Sequence, residues 1–179
     1  IVTSGPGAMN TITGVADAMI DSTPMVVICG QVGAAMLGTD AFQEVDVVGV
    51  TQPITKWNYQ IRRAEDIPWA VARAFYIAKS GRPGPVVLDF AKNAQTAMID
   101  YAPQTVNFIR SYNPVPSADA ASIEEAARLI NQSVKPLMLV GQGVELAGAR
   151  QELLELCEKA QIPFGQTMLG LSAAPTNHP

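Results

Sequence analysis

The chain has 179 residues, 12 Lys+Arg against 16 Asp+Glu, 48% hydrophobic and 16% charged residues, enough apolar content to exclude a disordered polymer. The net charge of -4 argues against a broad nucleic-acid surface, which needs clustered Lys and Arg. No apolar run reaches the ~18–20 residues of a membrane span, and Cys29 and Cys157 stand far apart without a CxxC motif, as in a reducing compartment.

The chain opens at Ile1-Val2 without a Met and stops at His178-Pro179, which reads as an internal piece of a longer protein. Ile1–Thr3 reads as the end of a strand and Ser4-Gly5-Pro6-Gly7 as a turn. From Ala8 to Asp21 the spacing of Ile12, Val15, Ala16, Met19 and Ile20 predicts a helix. Pro24–Cys29 is a continuous apolar run that predicts a strand covered on both faces. Gly33 to Thr39 predicts a loop, Phe42–Val50 a short helix stopped near Gln52-Pro53, and Ile54–Ile61 a strand.

Ala64–Ser80 carries Glu65 and Asp66 in its first turn, Pro68 near its start, Lys79 near its end and Gly81 beyond, all signals of a helix. Val86–Phe90, after Pro83-Gly84-Pro85, predicts another buried strand. This alternation indicates an α/β fold with parallel sheets flanked by helices. Residues 93–116, with Pro103, Pro114 and Pro116, read as a linker. A second α/β unit, cut off early, occupies 117–179. In it Ser117–Gln132 is a helix with Ile123, Ala126, Ala127 and Ile130 on one face. Pro136–Val140 is a strand, Gly141-Gln142-Gly143 a turn, Ala147–Ala160 a helix and Ile162–Thr167 a strand.

Several clusters have the residue types of a binding site, and each has a plainer use. The SGPGAMN turn (Ser4–Asn10) could bring backbone N–H groups close to a ligand; ordinary tight βα turns use the same residues. It lacks the GxGxxG spacing and the Lys of a phosphate-binding loop. In Gly38–Glu44, Gln43 could hydrogen-bond a ligand and Phe42 wall a pocket beyond a strand's carboxyl end; alternatively Asp40 caps a helix and Phe42 is core. Arg82 could grip a phosphate and Lys92 lies just past a strand, although both residue types are commonly surface charges. Gly141-Gln142-Gly143 is a shortened dinucleotide-like turn or a flexible connection. Cys29 reads as buried packing. One His and no paired Cys give no metal-ligand cluster, and the absence of GxSxG argues against a serine hydrolase.

The strings TSGPGAMNTITGVADAMIDSTPMVVICGQV, GTDAFQE, ITKWNY, SGRPGPVVLDFAKN, PLMLVGQG and TMLGL resemble the large catalytic subunit of acetolactate synthase (acetohydroxyacid synthase), in the thiamine-diphosphate enzyme family. TSGPGA-N and RPGPV are common to that wider family; GTDAFQE followed by ITK is specific to acetolactate synthases. The resemblance implies that residues 1–92 are the latter part of a pyrimidine-binding domain. From residue 117 it implies the start of a central, FAD-associated domain. The family's pyrimidine-protonating glutamate would lie upstream, and its diphosphate- and Mg²⁺-binding domain downstream. By itself this stretch is then expected to be inactive.

The implied activity is decarboxylation of pyruvate and condensation with a second 2-keto acid, pyruvate or 2-ketobutyrate, in branched-chain amino acid synthesis. The implied cofactors are thiamine diphosphate, Mg²⁺ and FAD. The implied setting is a cytoplasmic homodimer or tetramer with a small regulatory subunit, away from nucleic acid and membrane. Pro6 and Asn10 match the turn beside the aminopyrimidine, Phe42 and Gln43 the active-site mouth, Lys92 a lysine at that entrance, and Arg82 an FAD contact. No residue matches a metal ligand. Gly33-Ala34-Ala35 replaces a Pro-Arg-Arg type segment of many relatives and removes two expected positive charges. A pyruvate oxidase, a glyoxylate carboligase, or a non-catalytic flavin- or nucleotide-binding module are the competing readings.

Overall fold

Apolar runs and helical spacings alternate through the first half of the chain, and the backbone follows them. The computed structural model describes residues 1–178; residue 179, the last of the expected second unit, lies outside the described residues. The chain divides into two units, Ile1–Pro116 and a second from Ser117 onward.

The first unit runs α1 (Pro6–Met9), α2 (Ile12–Ile20), β1 (Met25–Gln31), α3 (Val47–Thr51), β2 (Trp57–Ile61), α4 (Ile67–Lys79), β3 (Pro85–Ala91) and α5 (Lys92–Thr96). Its three strands are parallel in the order β1-β3-β2, with Asp89 opposite both Cys29 and Gln60. β3 is buried at every position, as a central strand between two helical layers must be. On one face Ile61, Val86, Leu88 and Phe90 pack against α4, whose buried Ala70, Ala74 and Ala78 recur every four residues and let the helix lie close to the sheet. On the other face Val27, Cys29 and Val87 meet Ala8, Val15 and Val47.

Four expectations change at the level of elements. β1 is fully buried on only one face, at Val27, Cys29 and Gln31; on the other, Val26 and Ile28 pack half-buried at the margin of the α4 cluster. The single helix expected from Ala8 to Asp21 starts earlier, at Pro6, and breaks at Asn10-Thr11, where the Thr11 hydroxyl donates back to the Ala8 carbonyl (2.7 Å). The helix expected over Phe42–Val50 begins only at Val47. Asp46 caps it by accepting from Gly49 N–H (2.9 Å), and Asp40 and Gln43 have left-handed φ of 57° and 60°, which no helix accommodates. The stretch 93–116 is irregular after α5, but it folds onto the first unit. Tyr112 shares a hydrogen bond with the Ser80 hydroxyl (3.0 Å) and meets the Tyr76 ring edge-on.

The second unit has α6 (Ala120–Gln132), β4 (Met138–Val140), α7 (Gly143–Leu146), α8 (Arg150–Ala160) and β5 (Phe164–Gln166), with β4 and β5 parallel. Asp119 caps α6, accepting from Ser122 N–H (2.9 Å). The apolar stripe expected to bury Ile123, Ala126, Ala127 and Ile130 buries none of them, because the core of Val140, Leu153, Cys157 and Ala173 is built from the strands, α8 and the segment after β5. Gly143 opens α7 instead of completing a turn, and α8 starts at Arg150, later than the spacing predicts.

Candidate functional site

Three parallel strands deliver their carboxyl ends to one edge of the first unit, the edge where parallel sheets bind ligands. Asn93 stitches the exits together: its amide N–H donates to the Arg62 carbonyl (2.9 Å), and its side-chain oxygen accepts from Ala34 N–H (2.8 Å). Lys92 N–H adds a longer bond to the Val32 carbonyl (3.3 Å). Val2 runs parallel to β1, bonded to Ile28 and Gly30, so the turn at Ser4-Gly5 reaches the same edge.

There Gly5 meets Gln43. Gly5 is buried with φ 50° and ψ -109°, a conformation only glycine adopts readily. A Cβ on it would collide with the Gln43 backbone carbonyl. Gln43 itself has φ 60° and an exposed side chain. The turn around it is wound on the Glu44 carboxylate, which accepts from the N–H groups of Gly38, Thr39 (3.3 Å) and Ala41 (3.1 Å). Those backbone bonds, Gly38 foremost, hold the Glu44 carboxyl below its ordinary value. The Thr39 hydroxyl closes the turn on the Met36 carbonyl (2.7 Å).

Beneath this edge lies a group the sequence reading passed over. Asp89, in the middle of β3, is completely buried. Its Oδ2 accepts from Gln60 (2.9 Å) and Gln31 (3.2 Å), while Oδ1 has no hydrogen-bond partner among the described residues. Burial raises its carboxyl above the ordinary value, against the opposing hydrogen bonds from Gln60 and Gln31. Across the ladder, burial and the nearby Asp89 push the Cys29 thiol up to about 11. A carboxylate interrupting the run Val86–Phe90 was the available signal.

Pro6, at the first position of α1, and Gln43, Phe42 and Lys92 all collect at this edge with exposed side chains. Phe42 is 87% exposed, so it is not core, and Asp40 caps no helix. Asn10 lies at the far end of α1 and lines a cavity of about 350 Å³ with Val2, Gly14, Met25 and Val27. Arg82 stands before β3, at the opposite end of the sheet from Lys92. Its Nε donates to the Ser22 hydroxyl (2.7 Å) and Nη2 to the Ile20 carbonyl (3.0 Å). Among the described residues no group of His, Cys, Asp and Glu is arranged to hold a metal ion, and no helix is long and apolar enough to cross a membrane.

Residues 1–50, which hold both the Gly5 turn and Gln43, match the model of the N-terminal TPP binding domain of thiamine pyrophosphate enzymes, and residues 123–179 match that family's central domain. The chain belongs to the thiamine pyrophosphate enzyme family. Acetolactate synthase of Arthrospira platensis is 45% identical over 100% of this chain and 31% of its own length. The acetolactate synthase large subunit of Corynebacterium glutamicum is 46% identical over 99% of this chain and 28% of its own. The isozyme 1 large subunit of Escherichia coli K12 is 47% identical over 98% and 31%. The chain is therefore homologous to a segment of acetolactate synthase large subunits and spans about a third of the length of these curated relatives. The parallel α/β architecture agrees with that expected from the sequence.

Proposed function

We propose that this chain is part of an acetolactate synthase catalytic subunit, in which residues 1–92 contribute to the pyrimidine-binding domain and residues from 117 to the central domain. The observation that carries the reading is the seating of Gln43 on Gly5. It joins the string shared by thiamine-diphosphate enzymes to the one specific to acetolactate synthases, at the carboxyl edge of a parallel sheet. Substrates are pyruvate and 2-ketobutyrate, and the cofactors are thiamine diphosphate, Mg²⁺ and FAD. The complete subunit assembles as a homodimer or tetramer with a small regulatory subunit. The two unbridged, buried cysteines suit the cytoplasm.

The residues at the edge fit such a ligand. Pro6 and Gln43 offer exposed surface beside a glycine with no side chain to intrude. The chemistry supplied by bound thiamine diphosphate is an electron sink for loss of CO₂ from a 2-keto acid. Within that chemistry the Gln43 amide donates a hydrogen bond to the incoming keto acid and orients it. Lys92 supplies a positive charge that raises the local concentration of the anionic substrate. Phe42 would shield the entrance from water once substrate is bound, and Asn10 would contact the aminopyrimidine of the cofactor. Arg82, its guanidinium held in place by Ser22 and Ile20, would contact FAD. No residue of this chain is assigned to Mg²⁺.

The test is product analysis with pyruvate on the complete polypeptide. Acetolactate as main product is expected; acetate or acetaldehyde as main product overturns the reading in favour of another 2-keto acid enzyme.

A further inference from the structure

We propose that Asp89 is a positioning residue that acts through Gln31 to fix the turn carrying Gln43. Asp89 is wholly buried on the central strand, where an apolar residue would serve the sheet at less cost. What the carboxylate provides instead is an acceptor. Gln31, 4% exposed, donates from one amide nitrogen both to Asp89 Oδ2 (3.2 Å) and to the Val45 carbonyl (2.9 Å), and its own oxygen accepts from Val32 N–H (2.9 Å). Both ends of the Gln31 amide are thereby fixed, leaving the side chain no rotation that keeps its bonds.

Val45 lies two positions past Gln43. The turn is thus gripped twice, at Gln43 by the close approach of Gly5 and at Val45 by Gln31. On the other side Gln60 donates to the same Asp89 oxygen (2.9 Å) and accepts from Arg62 Nε (2.8 Å), so the row crosses all three strands. A buried polar network of this kind specifies one arrangement more than it adds stability. That the fixed turn serves catalysis rests on the assignment of Gln43 proposed above; that Asp89 fixes the turn does not.

The experiment is hydrogen exchange on the complete polypeptide, comparing wild type with Gln31→Leu, Asp89→Leu and Asp89→Asn, alongside steady-state kinetics with pyruvate. In Gln31→Leu and Asp89→Leu the amides of residues 38–46 exchange about 5- to 100-fold faster, while those of Val86–Leu88 keep their protection. In Asp89→Asn, which retains an acceptor oxygen, the turn stays within about threefold of wild type. Should Asp89→Leu fail to fold, Gln31→Leu carries the test. Unchanged turn exchange in Gln31→Leu, or acceleration spread evenly through β3, overturns the proposal, as does an Asn variant as loose as the Leu variant. A loosened turn with a lowered kcat/KM supports both this inference and the role of Gln43. A loosened turn with unaltered kinetics supports the inference and removes Gln43 from the site.

Discussion

Gly5 and Gln43 lie backbone against backbone, each with a left-handed φ, and there is no room between them for a methyl group. Gly5→Ala must displace the Gln43 carbonyl and adopt a conformation that costs an L-residue on the order of 1–3 kcal/mol. A thermal melt should show the loss, and the complete protein should lose activity beyond what the unfolded fraction accounts for. Gly38→Ala, with an open surrounding but φ 79°, separates the two terms: it carries the conformational cost without the collision. Equal effects of the two substitutions would remove the contact from the account.

Asp89 makes stability depend on pH in a direction opposite to that of a salt-bridged carboxylate. Its folded-state pKa is raised above 3.8, chiefly by burial, with Asp46 adding to the shift and the bonds from Gln60 and Gln31 opposing it. The protonated form is thus favoured by folding. Its contribution is fully present below the unfolded value and is lost as pH rises through the folded one. Asn cannot ionise and escapes that loss. Melts of wild type and Asp89→Asn between about pH 3 and pH 7 should therefore show the difference moving in favour of Asn as pH rises. A difference that stays flat would mean that Asp89 ionises as an ordinary exposed carboxyl.

Cys29 should be inert in the folded protein. It is 1% exposed, and its thiol is pushed up to about 11, so at pH 8 only about one molecule in a thousand carries the thiolate. Cys157 is also buried, and its thiol too is raised by burial. An aromatic disulfide reagent at pH 8 should label neither until denaturant is added, and both afterwards. Rapid labelling of Cys29 without denaturant would contradict its place beneath α1.

The strands and their parallel pairing were legible because runs such as Val86-Val87-Leu88 have no use except between two covered faces. Helix α4 was legible from its apolar spacing, the Lys79 near its end and the Gly81 beyond it, although Glu65 and Asp66 stand in a 3-10 turn before it and not in its first turn. What composition could not give was anything decided by distant partners. Phe42 is as apolar as core, yet it stands in solvent because the Glu44 carboxylate winds the turn that carries it. The Ile123 stripe predicts burial, but the strands of the second unit are three residues long and their core lies elsewhere. The clusters of candidate residues were legible one at a time. Their sorting, with Pro6, Gln43 and Lys92 at one sheet edge and Arg82 at the other, follows from strand direction and loop closure, which no local signal encodes.

The central claim is that Gln43 acts on the substrate, and Gln43→Ala in the complete protein tests it most directly. Alanine carries the same Cβ at the same φ of 60°, and the exposed side chain contributes little packing, so the melt should barely move. Loss of one hydrogen bond to the reacting keto acid costs about 1–3 kcal/mol, or roughly 5- to 150-fold in kcat/KM. Steady-state kinetics with pyruvate and a thermal melt on the same sample decide the matter. The account predicts a fall in kcat/KM within that range at an unaltered melting temperature; unchanged kcat and KM would contradict it.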